Sequence, residues 1–180
     1  MLKDYKKHCK EREEMSIPPL PLDAEQTAAL IELLKKDHKE SDFLLNLLKE
    51  RVPAGVDDAA YVKAGFLSDL TKGKTNSPYI TKEDAVVILG TMLGGYNIQP
   101  LIDCLEIDGL AGDAANALSN TLLIFDAFND IFELSKNNVY AKRVIDSWAN
   151  GEWFTNKSDV PESIKPVSYT HLTLPTTSMV

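Results

Sequence analysis

The chain has 180 residues, room for one domain able to bury roughly 70% of its unfolded surface. Its 27 acidic side chains outnumber its 19 basic ones, and the net charge of −8 disfavours a dedicated surface for nucleic acid or an anionic membrane. Its 2 cysteines, Cys9 and Cys104, form no Cys-x-x-Cys, so no disulfide framework is implied and a cytoplasmic setting is expected. No apolar run reaches the length of a membrane span, and the charged N-terminus has no apolar core behind it.

Residues 2–15 are polar and helix-prone, with Lys3, Lys6, Lys7, Lys10 and Arg12 set against Asp4, Glu11, Glu13 and Glu14. This is a solvated helix face, not a nucleic-acid arm. Pro18, Pro19 and Pro21 make a stiff connector. Asp23 to Gln26 reads as a capping box opening a helix with Thr27, Leu30, Ile31 and Leu34 on one face. Phe43, Leu44, Leu47 and Leu48 form a short second stripe, ended by Pro53 and Gly55. Asp57 or Asp58 is placed to cap the next helix, whose inner face is Ala59, Val62, Phe66 and Leu70. Gly65 inside that helix is expected to mark a close backbone crossing. Thr81 to Asp84 opens another helix with Ala85, Ile88, Leu89 and Met92 inward.

Residues 90–118 pack helix, turn, helix, turn, helix into a short stretch. Gly94-Gly95 is expected to stop the first of these helices and Asn97 to cap the next, with Pro100 in its first turn. Leu101, Ile102 and Leu105 form its stripe, and Gly109 breaks the chain again. Leu110, Ala114, Ala115, Ala117, Leu118 and Leu122 recur at helical spacing, their small face allowing close helix approach. Ile124, Phe125, Phe128, Ile131 and Phe132 make an aromatic stripe, Asn137-Asn138 a break, and Tyr140, Val144 and Trp148 a last helical face. Trp153 and Phe154 fall in a closing loop. The sum is about eight short helices and no strand, an all-α chain of the HEAT-like α-α superhelix type with irregular spacing. One helical domain is expected over 1–166. Residues 168–180 carry no charged side chain, and the stretch from Val167 resembles the read-through of a cloning adaptor, so 167–180 is expected to be a non-native tail.

No catalytic, cofactor-binding or metal-binding residue is expected. Cys104 sits in an apolar stripe and reads as core. His8, His38 and His171 lack a ligand-spaced partner, and Gly90 to Gly95 lacks the strand and the Gly-Lys-Ser/Thr ending of a phosphate loop. Asn156-Lys-Ser158 fits a glycosylation pattern that is frequent by chance. Tyr96, Asn97, Trp148 and Trp153 sit at turns or helix ends, which makes them candidates for contact with a partner protein. The competing reading has both tryptophans plugging the end of the helical stack.

Four segments carry a family resemblance: Asp57 to Leu67, Leu89 to Ile102, Ala117 to Leu123 and Ser147 to Phe154, with Arg51 to Val56 fitting the same pattern. Taken in order, they resemble the N-terminal region of bacterial aconitate hydratase B. The resemblance implies a HEAT-like domain ahead of a swivel domain and a catalytic core. The parent enzyme interconverts citrate and isocitrate through cis-aconitate, and also hydrates 2-methyl-cis-aconitate. It uses a [4Fe–4S] cluster, for which three cysteine thiolates are needed. The helical domain would then serve self-association and contact with the parent's catalytic domains, and this chain would hold no cofactor. A stand-alone adaptor binding a protein partner is the alternative. RNA binding through so acidic a domain is disfavoured.

Overall fold

Two helix starts are set by short-range chemistry. The Asp23 side chain accepts from the Gln26 backbone N–H at 2.7 Å, and the Gln26 side chain accepts from the Asp23 N–H at 3.2 Å. Thr81 and Asp84 form the same reciprocal pair. In this computed structural model, residues 1–121, 125–151 and 155 are described, with the backbone alone for 125 and 126. The chain divides into two compact units, Met1–Ala149 and Asn150–Val180. The helices that follow all belong to the first.

Nine α-helices are present among the described residues: α1 Leu2–Glu14, α2 Ala24–Leu34, α3 Ser41–Asn46, α4 Asp58–Thr71, α5 Lys82–Gly90, α6 Ile98–Cys104, α7 Ala111–Ser119, α8 Phe125–Ser135 and α9 Val139–Ala149. A π-helical turn, Leu47–Arg51, extends α3, and no strand occurs among those residues. The fold class is all-α, with one helix more than the periodicity predicts. Packing is local along the chain. The α4 helix lies on α2 and α5, α5 on α7, α7 on α9 and α9 on α8, while α6 touches α4, α5, α7 and α8. Leu30, Leu34, Leu44, Leu67, Leu89, Leu101 and Leu118 are buried in one core. The α1 helix is tied on by Tyr5, whose hydroxyl donates to the Leu20 carbonyl at 2.8 Å, and by His8 Nε2, which accepts from Leu20 N–H at 3.0 Å.

Several expectations are corrected. The α5 helix ends at Gly90, with Thr91 as its C-cap, before Gly94-Gly95 is reached; Gly90 itself is where α5 meets α7, since a Cβ there would lie 2.9 Å from Ala117 Cβ. Gly65 has nothing within 4 Å of a virtual Cβ and marks no crossing. The close backbone approach is at Gly94, where a Cβ would stand 1.9 Å from the Gly55 carbonyl oxygen. Asp57 occupies the position before α4 but its side chain makes no cap bond. Asn97 does not cap α6; its amide serves the helix behind it, donating to the Leu89 and Met92 carbonyls at 2.9 and 3.0 Å. Asn138 does more than break the chain: its Oδ1 accepts from Tyr140 and Ala141 N–H at 2.8 and 3.0 Å and so starts α9. Phe128 and Phe132 lie outward and half exposed, one stacked on the other at 6.1 Å, while Ile131 is fully buried. The readings made on Leu122, Ile124, the Phe125 side chain, Trp153, Phe154, Asn156 to Ser158, His171 and the boundary at Pro166 lie outside the described residues.

Candidate functional site

Two loops meet at one edge of the domain. The 91–97 segment leaves α5 and turns into α6, and the 52–57 segment leads into α4. Their backbones are joined by Leu93 N–H donating to the Ala54 carbonyl at 2.7 Å, beside the Gly94–Gly55 contact that admits no side chain. The Tyr96 hydroxyl donates to the Val56 carbonyl at 3.1 Å. Its ring stands edge-on to Tyr61 of α4, with centroids 5.3 Å apart and planes at 74°. The result is a ridge of large apolar side chains facing water: Leu93 is 87% exposed, Val56 72% and Tyr61 64%. Asp57 and Asp58, both exposed, flank it.

The opposite face of α4 carries Lys63, which is 1% exposed. Burial pushes its ammonium down to about 8, against the partial support of the Glu50 carboxylate from the π-helical turn. Its position is legible in hindsight. Lys63 stands four residues after Ala59 and three before Phe66, so the helical period places it on their inner face.

The four candidate contact residues separate. Tyr96 lies on the ridge. Asn97 follows directly but is 1% exposed and turned inward, so its side chain is no contact group; only an N–H₂ donor fits between two carbonyl oxygens, and its Oδ1 has no partner. Trp148 stands elsewhere, at the junction of α7, α8 and α9, with its indole N–H donating to the Leu118 carbonyl at 3.2 Å and its ring 6.2 Å from Phe128. Trp153 lies outside the described residues. Val56, Tyr61 and Leu93 escaped the sequence reading. The available signal was position: Tyr61 misses the inward stripe of α4, and Val56 and Leu93 are large apolar residues in the two loops beside it.

Among the described residues, no three His, Cys, Asp or Glu side chains gather closely enough to hold a metal ion. The donor set does not fit an iron–sulfur cluster either. Cys104 is fully buried on α6, where burial pushes its thiol up, away from the thiolate that ligates iron, while Cys9 lies on α1. No described helix is long and apolar enough to cross a membrane.

Short packed helices with a fixed apolar edge define an all-α domain. The chain belongs to the aconitate B N-terminal domain family, whose model matches residues 4–154. It is similar to aconitate hydratase B of Escherichia coli (55% identical over 166 residues) and of Synechocystis sp. (54% over 167 residues), each match covering 91% of this chain and 19% of the relative. The Helicobacter pylori aconitate hydratase B is 48% identical over 166 residues, covering 91% of this chain and 20% of that protein. The chain therefore spans about a fifth of the length of these relatives.

Proposed function

We propose that this chain is the association domain of a longer aconitate hydratase B, in which it orients or covers the catalytic portion, contributes to self-association and does no chemistry itself. The interconversion of citrate and isocitrate through cis-aconitate, the hydration of 2-methyl-cis-aconitate and the [4Fe–4S] cluster belong, in this reading, to the rest of the longer protein. Its expected setting is the cytoplasm. The observation that carries the reading is the edge formed by Val56, Tyr61 and Leu93, apolar side chains left facing water, with the half-buried Tyr96 joined to them through its bond to the Val56 carbonyl and its edge-on contact with Tyr61. Family membership over 4–154 supports the parentage.

The test treats the 180-residue chain with iron and sulfide under reducing conditions, then assays citrate dehydration and cluster absorbance. The expected result is neither turnover nor a stoichiometric cluster. In parallel, removal of this domain from the longer enzyme is expected to change its sedimentation or its kcat/KM for citrate. Turnover by the isolated chain, or a longer enzyme indifferent to the removal, overturns the reading.

A further inference from the structure

Resting on that reading, we infer that the Val56–Tyr61–Leu93–Tyr96 ridge is the seat for the polypeptide that follows this domain in the longer enzyme. The occupant is an intrachain surface, apolar at its centre and basic at its margin.

The ridge has the chemistry of an interface centre. Two tyrosines with few rotatable bonds supply broad contact area, and tyrosine is prominent among residues that dominate binding energy. It is also preorganised. The Tyr96 hydroxyl is already satisfied by Val56 O at 3.1 Å, the backbone at Leu93 is held by its N–H donating to Ala54 O at 2.7 Å, and Gly94 lies against Gly55. Docking on such a surface orders little and leaves no new polar group unpaired.

Size and charge choose the occupant. Four side chains of this kind present a few hundred Å², on the order of half the 800 Å² per partner that a stable interface between free proteins buries. A second copy would also bring another net charge of −8 against the first. A covalently attached partner escapes both limits, because a tether raises its effective concentration to roughly millimolar and a small contact then suffices. The relatives supply such a partner, since this chain accounts for only 19% of their length. Asp57 and Asp58 beside Val56 complement a basic margin.

Hydroxyl-radical footprinting distinguishes the outcomes when applied to the 180-residue chain and to the longer enzyme that carries it. Oxidation of Tyr61, Leu93 and Tyr96 is expected to fall roughly tenfold in the longer enzyme, as for side chains that a contact rim shields from water. Protection should be independent of concentration. Tyr61→Asp with Leu93→Asp in the longer enzyme should return Tyr96 to the oxidation level of the isolated chain, with the helical circular dichroism and melt retained. Leu93→Ser is the milder variant should the double substitution unfold the domain. Equal oxidation of the ridge in both proteins overturns the inference. If another face is protected instead, association stands and the ridge falls; if no face is protected, both fall. Protection of the ridge in the 180-residue chain that grows with its concentration assigns it to a second copy and overturns the intrachain seat.

Discussion

At the residue scale, two glycines carry opposite expectations. Gly94 has the Gly55 carbonyl oxygen 1.9 Å from where a Cβ would be, so Gly94→Ala must push two backbone segments apart. We expect a loss of about 3 kcal/mol, read as a lower urea midpoint at unchanged slope. Gly65 is exposed in the middle of α4 with nothing within 4 Å, so Gly65→Ala should stabilise by about 0.5–1 kcal/mol in the same assay. Lys63 gives a pH dependence. Its pKa of about 8 in the folded chain lies below its ordinary value of 10.5. The unfolded chain therefore binds more protons between those values, and stability rises with pH through that window. Below pH 8 the cost of the buried ammonium is present in full. Lys63→Met is expected to stabilise by about 2 kcal/mol at pH 7, with the gain shrinking toward zero near pH 10.5. Urea unfolding of both proteins at pH 7 and pH 10 measures the difference.

At the element scale, the helix starts divide into two kinds. The box between Asp23 and Gln26 satisfies two backbone groups of α2, so Asp23→Ala should cost about 1 kcal/mol. Asp57 stands at the same position of α4 without a cap bond, and Asp57→Ala should cost only about 0.3 kcal/mol through the helix dipole. Thermal melts of the two variants, compared at equal ionic strength, give the contrast. The two boxes were legible because Asp-x-x-Gln and Thr-x-x-Asp are short-range patterns, complete within four residues. The role of Asn97 was not. Whether an asparagine caps the helix ahead or the helix behind depends on how the loop folds back, and here the fold-back at Gly94 brings its amide to the Leu89 and Met92 carbonyls. The stripe of α8 failed for a related reason: the period finds an apolar face, but only a neighbouring helix makes it an inner one. That neighbour covers Ile131 and leaves Phe128 and Phe132 half exposed.

At the scale of the whole molecule, the two cysteines report on cooperativity. Cys104 lies in the shared core, fully buried with its thiol pushed up, while Cys9 is partly exposed on α1. One thiol per chain should therefore react promptly with a disulfide reagent under native conditions. The second should react only at the rate of global unfolding, and stopped-time labelling across a urea series checks this. A second thiol that reacts as fast as the first would show that α6 opens independently of the rest. The family and the all-α class were legible in the chain itself, as were the inward faces of α2, α4, α5, α6 and α7, because periodic burial is written in residue spacing. The ridge was legible only as Tyr96. Val56 and Tyr61 lie more than thirty residues away, Leu93 sits in the loop after α5, and no local pattern joins them. Sequence alone determined which segments are helical and which protein family they belong to, since both follow from local pattern and from matched strings. Only tertiary structure decided which apolar residues are left facing water, because that depends on where two distant loops touch, and they touch at a pair of glycines whose missing side chains let the backbones meet.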